Sequence, residues 1–485
     1  MDGYRQRIGL ILGPVAAIGG SLLDVPAGLT ADEWSVALVA ILMAIWWISE
    51  ALPLAATALV PIVAFPLLGV LPVGEVTAAY GNDLIYLFLG GFFIAVTMQR
   101  WQLHRRIALH TISLVGPSPR RVILGFMLAT AGLSMWISNT ATAMMMLPIA
   151  LAVLRQSEDE AGQRGEALPR GFGVALMLGV AYAASIGGIA TLIGTPPNAV
   201  LAGQVQELYG IEITFARWMA FGLPLSLLFL GIAWAYLAFG RHCRDLGPLA
   251  SGREPIRREL AALGRMDRAE RRVLTVFALV AAAWVGRGFL PAGVLEGLGD
   301  ASIAIAGALA LFLLPSGQRP GERLLDWQTA VQIPWDIVLL FGGGFALAAG
   351  FGASGLSESL AEGLEVLGGV PMLLIIAACV ALVVFLTEVT SNTATATVFI
   401  PLMGALATAT GLNPLVLMAA VAVAASCAFM LPVATPPNAV VFGSQALTVP
   451  DMARAGLVLN LITILLTTAF IYLLLPLALG VELAG

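Results

Sequence analysis

The chain has 485 residues, 59% of them hydrophobic and only 11% charged, a balance too apolar for a water-soluble domain and suited to a polytopic, all-α membrane protein. All 24 basic residues are arginine, and the formal net charge of −5 says little about partners beyond giving no reason to expect nucleic acid. Cys243, Cys379 and Cys427 stand at unrelated spacings, which excludes a disulfide framework and a cysteine metal site.

Hydropathy predicts about eleven transmembrane helices and two hairpins, each span needing about 20 apolar residues. The first, 8–23, lacks a small-residue cleavage site and reads as a retained helix rather than a signal peptide. Spans follow at 34–49, 53–71 and 83–99, and then a segment at 121–155 long enough for two short helices. The apolar run at 171–208 is interrupted by Pro196 and Pro197 and reads as a helix broken at 194–198. After 218–240 comes an Arg-rich stretch, 241–272, read as a cytoplasmic amphipathic linker lying near anionic headgroups. Spans at 273–289, 301–315 and 335–352 lead to a second two-helix segment at 371–410, a second broken helix at 413–448 interrupted at 434–438, and a last span at 455–479.

Both two-helix segments carry the same polar hexapeptide, SNTATA, at 138–143 and at 391–396. Hydroxyls and a carboxamide in hydrocarbon destabilise the chain unless they bind one another or a ligand, so two identical clusters suggest one shared site. Each segment therefore reads as a re-entrant hairpin with the polar motif at its tip.

The hexapeptides belong to a larger repeat. Asp83 and Asp336, Ser138 and Ser391, and Pro148 and Pro401 are each 253 positions apart. The connectors within the repeat differ in charge, with Arg105 and Arg106 falling opposite Glu358 and Ser359. A cytoplasmic N-terminus puts Arg100, Arg105, Arg106, Arg120, Arg121, Arg155, Arg164 and Arg170 inside with the 241–272 linker, and the Arg-free 353–370 stretch outside. The two repeats then have inverted topology. Hairpin 121–155 enters from the cytoplasmic side and hairpin 371–410 from the outer side, to meet near the midplane. The C-terminus lies outside.

Behind each hexapeptide follows GTPPNAV from Gly194 or ATPPNAV from Ala434. A Pro-Pro pair unwinds a helix and frees carbonyls before the break and N–H groups after it, which a bilayer tolerates only around a protein-walled cavity. Asn198 and Asn438 are expected to hydrogen-bond some of this backbone.

SNTATAMMMLPIA and SNTATATVFIPLM, each followed by a T-P-P-N loop, resemble the divalent anion/sodium symporter family of sodium-coupled dicarboxylate and citrate carriers. SCAFMLPVATPPNAVV from Ser426 and WWISEALPLAATALVP from Trp46 are similar to the same family, so the likeness covers nearly the whole chain. It implies that Ser138, Asn139, Thr140, Ser391, Asn392 and Thr393 contact substrate carboxylates, with Thr195, Pro196, Thr435 and Pro436 completing the cavity. It also implies at least two sodium ions, one held by Ser134, Ser138, Asn139 and Gly194, the other by Thr387, Ser391, Asn392 and Ala434. The implied assembly is a homodimer working as an elevator. Residues 1–81 and 273–334 would supply scaffold helices, and 82–240 and 335–485 the two repeats.

The residues support that chemistry in their own right. Ser and Thr hydroxyls, Asn carbonyls and unwound backbone are neutral oxygen donors suited to a hard cation, while helix N-termini favour an anion. Neither motif contains an Arg, so co-bound sodium is the simplest source of charge for a di- or tricarboxylate. The reading is sodium-coupled symport across the inner membrane, with C4-dicarboxylates such as succinate, malate or fumarate the leading substrates. Sodium-independent exchange, and permeation of sulfate or another oxyanion, are the alternatives within this architecture. An enzyme is not expected, because the chain has no H-E-x-x-H, no G-x-S-x-G and no Asp-rich metal pair. Of the groups outside the motifs, Glu388 is read as a hydrogen-bonded structural acid, with a proton-titrating group the alternative, Glu50 as a helix-end cap, and the Gly runs at Gly90 and Gly342 as close-packing surfaces. His104, His110 and His242 are read as solvated.

Overall fold

The computed structural model describes residues 2–116, 118–163, 168–240, 254–287, 298–364 and 369–484. Helix α1, Asp2–Ser21, pairs with α2, Ala31–Ser49, whose start is closed by a Thr30–Glu33 capping box and whose end is the left-handed Glu50. The span expected over 53–71 is two pieces, α3 (Leu54–Thr57) and α4 (Val60–Leu68). Pro53 stands before the first, and Pro61 fits only the first turn of the second. After α5, Val73–Ala78, comes α6, Asp83–Arg100, capped by the Asn82 side chain.

A connecting helix that hydropathy alone did not reveal, α7 (Leu103–Val115), leads into the first hairpin of α8 (Pro119–Ser134) and α9 (Asn139–Gln163). The first broken helix is α10, Arg170–Gly188, and α11, Pro196–Tyr209. Next are α12 (Phe215–Phe239), α13 (Glu254–Leu263), α14 (Arg268–Arg287), α15 (Asp300–Leu313) and the short α16 (Trp327–Ala330). The second repeat runs α17 (Trp335–Ser354), α18 (Leu356–Leu364), the hairpin α19 (Met372–Thr387) and α20 (Asn392–Ala409), then the broken helix α21 (Pro414–Ala425) and α22 (Pro436–Phe442). Helices α23 (Val449–Leu473) and α24 (Leu475–Leu479) close the chain. Seven helices among the described residues are long and apolar enough to cross a membrane.

The repeat is visible in the helix boundaries. Helices α8 and α19 begin and end 253 residues apart, α9 and α20 begin 253 apart, and so do α7 and α18. The residues before α7 and α18, Gln102 at φ 55° and Gly355 at φ 85°, are both left-handed, so the chain turns the same way at the same place in each copy. Both connecting helices are short and amphipathic, which is why a search for long apolar runs passes over them.

The broken helices' first halves form the centre of the molecule. Every residue from Phe172 to Gly188 in α10 and from Leu415 to Ala425 in α21 is buried. Helix α10 is rich in Gly and Ala and α21 in Ala, which lets neighbouring backbones approach closely where lipid supplies no hydrophobic drive to association. The Gly runs act likewise: a Cβ at Gly90 would lie 2.6 Å from the Ala304 backbone, and one at Gly343 would lie 2.3 Å from the Ala58 carbonyl.

The Arg-rich stretch is not one surface helix. Helix α13 ends at Leu263 and α14 starts within the same stretch, while 241–253, including His242 and Cys243, lie outside the described residues. The remaining histidines meet protein rather than water alone. His104 Nδ1 lies 3.1 Å from the Met98 carbonyl, and its burial lowers the imidazole pKa; His110 Nδ1 lies 2.8 Å from the Arg106 carbonyl. At the far end of α6, Arg100 donates to Asp326 (2.5 Å) and Thr329 (3.0 Å). Burial acts to raise the Asp326 carboxyl, but hydrogen bonds from Thr329 and Arg100 hold it below the usual carboxylate range.

Candidate functional site

Between α8 and α9, and between α19 and α20, the chain turns in four residues, and those turns bring both SNTATA copies to one cavity of about 980 Å³. Ser138, Asn139 and Thr140 line it from the first tip, and Ser391, Asn392 and Thr393 from the second. Gly194, Thr195 and Pro196 enter from one broken helix, and Ala434, Thr435 and Pro436 from the other. The two broken loops meet, with Thr195 Oγ1 lying 3.4 Å from Ser426 Oγ. Ser134 and Thr387 do not reach the cavity; they are fully buried behind the tips.

Behind the first tip four oxygens crowd together. Ser134 Oγ is 2.5 Å from Asn139 Oδ1 and 2.7 Å from the Ala184 carbonyl. The same Asn139 oxygen faces the carbonyls of Ala184 and Gly194 at about 3.1 and 3.2 Å. The one Ser134 hydroxyl proton cannot satisfy the other three oxygens, whereas a small hard cation among the four would suit them all. Turning the amide over would place its NH₂ among the same oxygens, so Asn139 can either coordinate a cation or donate to the cation's other ligands. The space is kept open by glycine: a Cβ at Gly188 would lie 2.8 Å from Asn139 Oδ1 and 3.0 Å from the Gly194 carbonyl.

The second tip repeats the pattern. Thr387 Oγ1 lies 2.8 Å from Asn392 Oδ1 and 3.1 Å from the Ala425 carbonyl. Among the described residues no three His, Cys, Asp or Glu side chains gather, so the available donors are neutral oxygens of the kind that suit alkali and alkaline-earth cations rather than transition metals.

The unwound backbone is held by matched asparagines. Asn198 Nδ2 donates to the carbonyls of Gly188, Ile189 and Thr191, and Asn438 Nδ2 to those of Ala428 and Leu431. At the first residue after each Pro-Pro pair the N–H is not free. Both prolines lack one, the Asn198 N–H returns to the Thr195 carbonyl, and the Asn438 N–H goes to Thr435 Oγ1. The starts of α9 and α20 at the hairpin tips also face the cavity and can meet an anion.

The tips differ in how they are fixed. Trp136, beside the first, packs against Phe215, Phe277 and Trp284 at centroid distances of 5.8, 5.0 and 6.4 Å. The second is tied down by Glu388, whose buried carboxylate accepts from the N–H groups of Phe429 (2.7 Å), Met430 (2.9 Å) and Leu431 (3.0 Å) and from Asn460 Nδ2 (2.8 Å). All four partners are protein donors.

Several lining residues lie outside the motifs. Arg5, on α1, donates to the carbonyls of Ile48 and Val389 and so joins the end of α2 to the second tip. With Glu50 and Asp336, also in the lining, the cavity wall carries one positive and two negative side chains. Arg5 looks in sequence like an ordinary flanking charge. The Ala184 and Ala425 carbonyls are backbone atoms with no residue signature at all.

The family profile described as "Sodium:sulfate symporter transmembrane region" matches residues 6–478. The sodium-dependent dicarboxylate transporter SdcS of Staphylococcus saprophyticus is 43% identical over 483 residues, covering 98% of this chain and 93% of the relative. SdcS of Staphylococcus aureus is 44% identical over 482 residues, covering 98% and 92%. Two solved structures share the fold. The Alcanivorax borkumensis YdaH transporter superposes with a TM-score of 0.59 at 16% identity, covering 94% of this chain and all of that one. Neisseria gonorrhoeae MtrF superposes with a TM-score of 0.59 at 13% identity, covering 95% and 96%.

Proposed function

The chain belongs to the sodium:sulfate symporter family, and we propose that it is a sodium-coupled symporter of C4-dicarboxylates such as succinate, malate or fumarate. The observation that carries this reading is the cluster of acceptor oxygens behind each tip, set against a cavity whose wall has a net negative charge. A dianion entering that cavity meets hydroxyls, amides and helix N-termini, but too little positive charge to offset its desolvation. Two cations, one behind each tip, supply what is missing, so anion and sodium bind together. Transport of dicarboxylate by relatives 43 and 44% identical over nearly the whole chain supports the substrate class.

In this mechanism the first ion is held by Ser134, Ser138, Asn139 and Gly194 with the Ala184 carbonyl added, and the second by Thr387, Ser391, Asn392 and Ala434 with that of Ala425. Each ion would draw a tip Asn carbonyl and Ser hydroxyl toward its broken helix and leave the Thr140 and Thr393 hydroxyls for the substrate. Arg5 guides the anion toward the cavity from the α1 side. With the N-terminus in the cytoplasm the cavity opens inward, and alternating access follows from the two repeats moving as an elevator within a homodimer in the inner membrane.

The test is counterflow of labelled succinate in proteoliposomes with sodium replaced by choline. Uptake is expected to vanish in choline, with unlabelled malate and fumarate competing and sulfate not. Undiminished uptake in choline would eliminate symport, and competition by sulfate alone would replace the substrate.

A further inference from the structure

The first turns of the connecting helices α7 and α18 each meet a carboxylate that the transport reading leaves unused. The fourth residue of each, Arg106 or Ser359, occupies the same place in the repeat and reaches a glutamate at the start of another helix. Arg106 donates through Nε and Nη2 to the two carboxylate oxygens of Glu270, both at 3.0 Å, and also to the carbonyls of Gly264 (2.9 Å) and Leu263 (3.2 Å). Ser359 Oγ donates to Glu33 Oε1 at 2.6 Å. Both glutamates are buried.

Glu33 and Glu270 hold matching positions. Each is the third residue of its helix, α2 or α14, and each closes a capping box. Glu33 Oε2 accepts from the Thr30 N–H at 2.5 Å, and Glu270 Oε2 accepts from the Asp267 N–H at 3.0 Å. The Glu33 N–H returns to Thr30 Oγ1 and the Glu270 N–H to Asp267 Oδ1. Glu33 Oε1 is left for Ser359, whereas Arg106 takes Glu270 Oε1 and shares Oε2 with the Asp267 N–H.

We propose that Glu33 and Glu270 are paired anchors that fix the connecting helices α18 and α7 to helices α2 and α14, and that Ser359 and Arg106 are positioning residues for hairpin movement. The carboxylates are immobilised by their own helix starts, so each presents a rigid acceptor to the helix that leads into a hairpin. The anchors are unequal. Arg106 makes a bidentate ion pair and two carbonyl bonds in a buried setting, while Ser359 makes one neutral-donor bond. The α18 end is therefore the one that yields, and Ser359 is where anchor strength can be altered without exposing a buried charge.

This inference rests on the carrier reading, and the experiment separates the two. Full-length Ser359→Ala, Ser359→Thr and Arg106→Lys are compared with the parent protein in proteoliposomes. Ser359→Ala is expected to lower Vmax about fivefold, the size of one hydrogen bond, with KM for succinate and half-saturating sodium unchanged. Ser359→Thr restores Vmax, and Arg106→Lys, a point donor in place of a fork, lowers it without shifting KM. Hydrogen exchange gives a readout independent of transport: Ser359→Ala speeds amide exchange across 356–364 and leaves 391–396 unchanged. Parental exchange rates in 356–364, Vmax unaltered in Ser359→Ala, or failure of Ser359→Thr to restore it would overturn the anchor. Absence of sodium-dependent uptake by the parent protein would count against the carrier reading alone, leaving the exchange measurement to decide the anchor.

Discussion

At the scale of single residues, the oxygen cluster proposed to hold a cation behind the first tip depends on a side chain that is missing. Gly188 leaves open the space among Asn139 Oδ1 and the Gly194 carbonyl, and a methyl group there falls within 2.8 Å of the first and 3.0 Å of the second. Helix α10 accepts alanine readily, and Ala428 occupies the matching place in the second repeat, so Gly188→Ala is expected to fold. It is expected to raise the sodium concentration for half-maximal uptake about tenfold, close to 1.4 kcal/mol, with substrate KM at saturating sodium little changed. Uptake measured against sodium concentration checks this; parental sodium dependence would remove Gly188 from the site.

At the scale of elements, the second hairpin is held to its broken helix by one carboxylate with four protein donors. Glu388→Gln turns an NH₂ toward backbone N–H groups that need an acceptor, and the expected loss is roughly 3 kcal/mol of stability. The thermal midpoint in detergent should fall, and transport with it; an unchanged midpoint would mean that the Phe429–Leu431 backbone is held by something else. That Glu388 must have a partner was legible in sequence, as for any acid inside a membrane segment, but its role and the three consecutive backbone amides that meet it were not. The hairpins, the broken helices and the duplication were legible for a similar reason: polar tips and Pro-Pro pairs are expensive in lipid and stand out against apolar sequence. Helices α7 and α18 were not, since an amphipathic helix of 13 or 9 residues has neither the length nor the apolarity of a span. The division of 53–71 at Pro61, and the contributions of Arg5, Ala184 and Ala425, depend on tertiary placement that no local pattern encodes.

At the scale of the whole molecule, coupling is a thermodynamic statement and can be read without a membrane. Both tips, both broken helices and the α1–α2 end line one cavity, so ions and anion bound as proposed would brace the same segments. If the cations supply the charge that the wall lacks, succinate has little affinity for the sodium-free protein, and by linkage succinate must tighten sodium by the factor with which sodium tightens succinate. A ligand at a hundred times its Kd adds about 2.7 kcal/mol to the folded state when it does not bind the unfolded chain. Thermal midpoints of the detergent-solubilised protein are therefore expected to rise modestly with sodium chloride against choline chloride at equal ionic strength, and not at all with succinate in choline. Succinate added in sodium should raise the midpoint further, by more than the two separate effects combined. A succinate shift of equal size in choline would mean that the anion finds its compensating charge in the protein itself. Arg5, the one cationic side chain in the cavity lining, would then carry the binding that the oxygen clusters behind Asn139 and Asn392 are here assigned to sodium.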